Sequence, residues 1–111
     1  MKNKLFRGKK VNKSLFNKAF AELRKLGYTA KQNFSCCRSC AWGELTEEEA
    51  KKAVFFSMQS TKHLNEEGTV YLSWSGDGNE IKSIFEKHNC KVEWEGTPDK
   101  SIFIEVPMID N

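Results

Sequence analysis

Between Asn12 and Leu26 the apolar residues Leu15, Phe16, Ala19, Phe20, Leu23 and Leu26 recur at helical spacing, while Lys13, Asn17, Lys18, Glu22, Arg24 and Lys25 take the other positions. A period near 3.6 gathers the apolar set into one stripe, so this segment predicts an amphipathic helix. Asn12 or Ser14 offers a side-chain oxygen to cap its start, and Gly27 suits the left-handed residue beyond its end. Tyr28 to Phe34 reads as a short strand. Ala53 to Met58, apolar and rich in strand formers, reads as a central strand covered on at least one face. From Thr69 to Trp74 the residues Val70, Leu72 and Trp74 alternate with Thr69, Tyr71 and Ser73, the period-2 pattern of a half-buried strand.

Further along, Ile81, Ile84, Phe85 and His88 share a helical face, the loop Ser75 to Asn79 caps that helix, and Asn89 ends it. Lys91 to Glu95 and Ser101 to Val106 pair as a hairpin through a turn that Pro98 and Asp99 favour. Thr46 and Glu49 form a Thr-x-x-Glu capping box, so a short helix is predicted to begin at Glu47, and Ser60 to Asn65 reads as a helical turn or loop. The order of elements implies an α+β fold: a mostly antiparallel sheet of about five strands with two longer helices packed on one face.

A chain of 111 residues is the size of one domain and buries about 65% of its unfolded surface. Eight Phe and three Trp supply the bulk of a single core, and a charged fraction of 30% is ordinary for a globular protein. The longest apolar run, Ala53 to Phe56, is far shorter than the roughly 20 residues that span a bilayer. No apolar stretch of signal-peptide length follows the basic amino end, and a cytoplasmic protein without membrane partners is expected. The net charge of +3 is unevenly placed, because Lys2, Lys4, Arg7, Lys9, Lys10, Lys13 and Lys18 all precede the first acid, Glu22. The predicted organisation is a basic flexible arm over residues 1–11 and a single α+β domain over 12–111.

Four cysteines in a chain read as non-secreted suggest free thiols or metal ligation before disulfides. Cys37 and Cys40 have the spacing of a zinc knuckle or a redox pair, and Cys36 adds a third thiol. A closed zinc site needs four ligands, which leaves Cys90 or His63 as the candidate fourth. Redox chemistry needs a lowered thiol pKa. Arg38 is a nearby cation, but the predicted helix begins only at Glu47, so its dipole is not aimed at these thiols. His88, near a helix end, is expected to complement the helix dipole, and His63 to be a solvated loop residue. No acid, base and nucleophile set is evident, so no catalytic residue is assigned. The basic residues Lys2, Lys4, Arg7, Lys9, Lys10 and Lys13 are the candidate surface for a nucleic acid or another partner. Tyr71, Trp74 and Trp94 read as strand packing rather than as a stacking platform.

At Phe34-Ser35-Cys36-Cys37-Arg38-Ser39-Cys40 the chain resembles an uncharacterised bacterial domain family with a Phe-x-Cys-Cys-x-x-Cys-Gly hallmark. The likeness extends to Ala19 through Leu23, to Val54 through Thr61, which is similar to the family's Phe-Phe-His-x-Gln-Asp-Thr segment, to Tyr71-Leu72 and to Val92 through Gly96. It covers roughly Phe16 to Val106. Ala41 stands in place of the family's glycine, Ser57 in place of its histidine and Ser60 in place of its aspartate, so the resemblance implies a poorer metal site here. It implies fold and domain limits and supplies no reaction.

Taken together, these readings favour a non-enzymatic protein-interaction domain of bacterial or phage origin, an accessory factor or an inhibitor of an unidentified protein partner, with no cofactor. A zinc-binding or thiol-redox protein using Cys36, Cys37 and Cys40 is the first alternative, and nucleic-acid binding through the basic arm is the second.

Overall fold

The computed structural model describes residues 9–98 and 100–110. Its main sheet has the order β2-β3-β4-β6-β5, built from β2 (Thr29–Lys31), β3 (Ala53–Phe55), β4 (Thr69–Trp74), β5 (Lys91–Glu93) and β6 (Ile102–Glu105). Three of its four junctions are antiparallel, with Leu72 opposite Ile102 and Val92 opposite Ile104. The exception is β2, which runs parallel to β3 with Ala30 opposite Val54. The α+β class and the mostly antiparallel sheet are as the pattern predicts.

The apolar stripe of α1 (Lys13–Lys25) is Phe16, Ala19, Phe20 and Leu23, at the i, i+3, i+4 and i+7 spacing that faces one direction, and all four are fully buried. They meet Ile81, Ile84 and Phe85 of α5 (Gly78–Lys87) over Val54, Phe56, Val70, Leu72, Ile102 and Ile104. Phe16 lies at the centre of this core, 4.9 Å from the Phe20 ring, 5.7 Å from Phe85 and 5.9 Å from Phe56. Each such buried side chain stabilises the fold by on the order of 1.5–3 kcal/mol. Asp77 caps α5 by accepting hydrogen bonds from the Asn79 and Glu80 N–H groups, and Thr46 with Glu49 forms the expected box on the short α3 (Glu47–Ala50). Gly27 has φ 97° beyond α1, as its sequence position suggests.

Several expectations are corrected. Ser60 to Asn65 is part of a full helix, α4 (Met58–Glu67), which ends at Gly68 in the left-handed region (φ 76°) and sends Leu64 into the main core. The strand expected over Ala53 to Met58 stops at Phe55, because Ser57 becomes the N-cap of α4. The strand expected from Tyr28 to Phe34 stops at Lys31, because Asn33 and Ser35 turn the chain with φ 53° and 66°. Asn12 is the N-cap of α1 but makes no side-chain cap bond; its N–H donates to the Pro107 carbonyl at 2.8 Å. His88 does not serve only the helix end: its Nε2 lies 2.9 Å from Glu22 Oε1, and Lys87 Nζ lies 2.9 Å from Glu22 Oε2, so the pair ties α5 to α1.

A second, two-stranded sheet joins β1 (Lys9–Val11) to β7 (Met108–Asp110), with Val11 opposite Met108. Thus the last three residues of the expected arm are paired strand, while residues 1–8, including Lys2, Lys4 and Arg7, lie outside the described residues. Among the described residues, no helix is long and apolar enough to cross a membrane.

Candidate metal centre

Cys36 and Cys37 lie between β2 and a helix that the sequence pattern does not announce, α2 (Arg38–Glu44), which contains Cys40. Cys37 is its N-cap with extended backbone (φ −154°, ψ 171°), and Cys40 sits in its first turn. The Ala41 N–H closes that turn on the Cys37 carbonyl at 2.9 Å. This corrects the expectation that the nearest helix begins at Glu47. Ala41 and Trp42 of α2 pack on Ala53 and Phe55, with Phe34 and Leu45, in a small second core on the sheet face opposite the main one. Phe55 touches both rings, 4.8 Å from Trp42 and 5.8 Å from Phe34.

The loop before α2 is pinned from three sides. The Phe34 N–H donates to the Phe56 carbonyl at 2.9 Å, and the Met58 N–H donates to the Ser35 carbonyl at 3.0 Å. The Ser35 hydroxyl donates to Glu44 Oε2 at 2.7 Å, and the Thr61 hydroxyl to Asn33 Oδ1 at 2.6 Å. The left-handed conformation of Ser35 is unfavourable for a residue with a Cβ, and these bonds hold it. Ser57, buried at the position where the resembled pattern carries histidine, lies between Phe56 and Met58 and so directly beside this loop.

Pinning the loop brings the Cys36, Cys37 and Cys40 sulfurs within 4.8 Å of one another. Cys36 Sγ is 3.9 Å from Cys37 Sγ. Cys36 and Cys40 are exposed and Cys37 is half-buried. The Cys40 N–H, then the Cys40 and Cys36 thiols, then the Ser39 N–H, favour the Cys37 thiolate and bring its pKa below the usual thiol value. Cys40 is pushed up to about 11 by its hydrogen bonds with Cys36 and Cys37 and by their charge. The asymmetry favours loss of a proton from Cys37 over Cys40, whose thiolate is disfavoured until a cation offsets the neighbouring charge.

The other sequence candidates lie elsewhere. Cys90 is buried in the main core, where desolvation pushes its thiol up to about 11. His63 is exposed on α4, with Nδ1 3.6 Å from Glu67 Oε1. Among the described residues, neither joins the group of three sulfurs. Lys13 opens α1 and its Nζ reaches Asn65 Oδ1 at 3.4 Å, while Lys9 and Lys10 are in β1. Arg38, Ser39 and Trp42, which the sequence pattern does not bring together, line a cavity of about 420 Å³ that extends to Ser73, Trp74 and Lys100. Their helical spacing, 38 and 39 against 42, was the available signal.

Fold and site together define a small α+β domain with a partly exposed cluster of three thiols on one face. The chain belongs to the DUF6891 family, a domain of unknown function, whose family model matches residues 12–108. This agrees with the resemblance to an uncharacterised family. No curated protein and no solved structure matches the chain.

Proposed function

We propose that this protein is a metal-binding domain in which Cys36, Cys37 and Cys40 hold one Zn²⁺ ion as thiolates, with water or a ligand from solution in the fourth position. The observation that carries the reading is the meeting of three sulfurs within 4.8 Å on a tethered loop. Zn–S bonds of about 2.3 Å in a tetrahedron separate the sulfurs by roughly 3.8 Å, close to the 3.9 Å between Cys36 and Cys37. Thiolates are soft donors and select zinc or copper(I) over magnesium or calcium. Three protein ligands with one open position is also the pattern of zinc sites that bind exchangeable ligands, as opposed to closed structural sites. The test is metal analysis of the freshly purified, reduced protein together with Zn²⁺ titration against a competing chelator. One equivalent bound, and lost in Cys37→Ser, is the expected result; a folded, reduced chain that takes up no zinc sinks the proposal.

A second reading, protein interaction, is supported by the uncovered end of the same sheet face. Tyr71 is 63% exposed and lies 4.8 Å from the Phe103 ring. Glu93 and Glu95, with one cation, Lys100, share with this pair a shallow cavity of about 650 Å³, a lining of net negative charge suited to a basic segment with apolar side chains. Binding of such a segment should be lost in Tyr71→Ser with the fold intact. Affinity equal to that of the parent chain would remove this reading.

A further inference from the structure

We propose that Cys37 and Cys40 form a dithiol–disulfide couple, that a low-molecular-weight disulfide oxidises them, and that this oxidation expels the metal ion and leaves Cys36 as a free thiol. The ion-release part rests on the zinc reading above; the choice of couple rests on backbone geometry alone.

Three thiols allow three pairings, and the fold distinguishes them. Cys36 and Cys37 are consecutive across a trans peptide, which sets their Cα atoms about 3.8 Å apart, whereas disulfides require roughly 4.4–6.8 Å. That pair is therefore strained. Cys37 is the N-cap of α2 and Cys40 its third helical residue, the relation in which an N-cap side chain lies across the first turn. The same relation occurs a few residues later, where the Thr46 hydroxyl accepts the Glu49 N–H at 3.1 Å. The helical bond from Ala41 N–H to the Cys37 carbonyl closes the turn that carries both sulfurs. Cys36 precedes the N-cap, so a bond from it to Cys40 spans one residue more than that turn, although its sulfur too lies within 4.8 Å of the other two. Cys90, in the main core, is on the other face of the sheet.

In the metal-free chain the step is balanced as two exchanges. The Cys37 sulfur, having given up its proton, attacks one sulfur of the small disulfide; a Cys37 mixed disulfide forms and one small thiolate leaves and takes up a proton. Cys40, likewise deprotonated, then attacks the Cys37 sulfur, the mixed disulfide breaks, and the second small thiolate leaves. Two protein thiols are oxidised by two electrons and one disulfide is reduced to two thiols. In the loaded chain the ligating sulfurs carry no protons, so both leaving thiolates take theirs from solvent. With two of three ligands consumed, Cys36 alone does not hold the ion.

The experiment uses the full chain and oxidised glutathione as the probe. Zn²⁺ uptake by the reduced chain tests the metal reading by itself. Treatment of the zinc-free chain, followed by alkylation and peptide mapping, tests the couple by itself: a Cys37–Cys40 disulfide with Cys36 outside it is expected. In the zinc-loaded chain, ion release read with a chromogenic chelator should rise in step with that disulfide and reverse on adding dithiothreitol and Zn²⁺. Cys36→Ser should still form the bond, and Cys40→Ser should stop at a mixed disulfide. A bond mapped to Cys36–Cys40 or between chains overturns the proposal, as does a Cys37–Cys40 disulfide formed with the ion retained; in all three cases zinc uptake by the reduced chain stands unaffected.

Discussion

On one face of the five-stranded sheet, Phe16, Phe20, Phe56 and Phe85 interlock beneath α1 and α5, and the residues facing them on β4 and β6 are fully or almost fully buried. On the other face, α2 covers the β3 end with three buried residues, Ala41, Ala53 and Phe55, and beyond it Tyr71 and Phe103 meet solvent. The first face has the large side chains that make a domain stable. The second has the three clustered thiols and the short α2. The contrast explains how an uncovered cysteine loop is tolerated: its geometry is held by backbone bonds, Phe34 N–H to the Phe56 carbonyl and Met58 N–H to the Ser35 carbonyl, not by burial of the loop itself.

The largest expected effect follows from that contrast. Phe20→Ala should cost about 3–5 kcal/mol in denaturant unfolding, because it removes a fully buried ring from the main core. Trp42→Ala, which removes a half-buried ring from the small core, should cost about 1–2 kcal/mol. Equal costs for the two would break the comparison. Gly78→Ala comes next. A Cβ there would sit 2.4 Å and 2.6 Å from Trp94 ring atoms and 2.8 Å from Trp74. The two indoles are packed edge to face at 5.3 Å, and each donates to a carbonyl of the β5–β6 loop. Overpacking of this kind costs roughly 1–3 kcal/mol, more than the ~1 kcal/mol by which alanine ordinarily improves on glycine in a helix. A melting temperature unchanged or raised by Gly78→Ala would show that the indoles yield.

The same contrast governs what could be read in advance. Elements of the well-packed face were legible: α1 and α5 bury continuous apolar stripes, and β4 alternates cleanly, so periodicity suffices. The capping box at Thr46 and Glu49 was legible because both partners are local. By contrast, α2 starts on a cysteine, which is not a usual N-cap, and contains Gly43, so neither propensity nor capping marks it. Of the ten residues of α4 only Leu64 is buried, which leaves no stripe to detect. The spacing of Cys37 and Cys40 drew attention to the right residues, but the pinning of their loop depends on Phe56 and Met58, partners some twenty positions away. The parallel β2–β3 junction and the β1–β7 pairing are likewise settled by tertiary contacts.

Smaller effects sharpen the picture locally. Thr46→Ala removes one half of the box, the bond from the Glu49 N–H to the Thr46 hydroxyl at 3.1 Å, and keeps the backbone N–H of residue 46 that donates to the Glu49 carboxylate at 2.9 Å. A loss of about 0.5–2 kcal/mol is expected by urea denaturation; no loss would mean that the cap bond contributes nothing to folded stability. Glu22 gives a pH signature for the opposite face. Its hydrogen bond from Lys87, and then that from His88, hold its carboxyl below the usual 4.5. A carboxyl with a depressed folded pKa stabilises above its unfolded pKa, and that contribution disappears as the pH falls through the folded value. The stability advantage of the parent chain over Glu22→Gln should therefore be full near pH 7 and fade as the pH falls through and below the ordinary carboxyl range. An advantage constant across that range would remove the ionic account of the α1–α5 tie.

The smallest effect on stability is expected where the chemistry is concentrated. Cys36 and Cys40 are exposed and Cys37 half-buried, and none of the three belongs to either core cluster. Replacing all three by serine leaves Phe34, Ala41 and Trp42 on Phe55, and leaves the backbone bonds at Phe34, Ser35 and Ala41 in place. In the absence of metal, the unfolding free energies of the triple variant and the parent should agree to within about 0.5 kcal/mol, as is usual for surface substitutions. Added Zn²⁺ should then separate them, raising the parent by the linkage expected of a ligand that binds only the folded state and leaving the variant unchanged. A parent chain that unfolds when zinc is stripped would place the site among those that organise the fold, and the difference between the two faces would be one of metal dependence instead of packing.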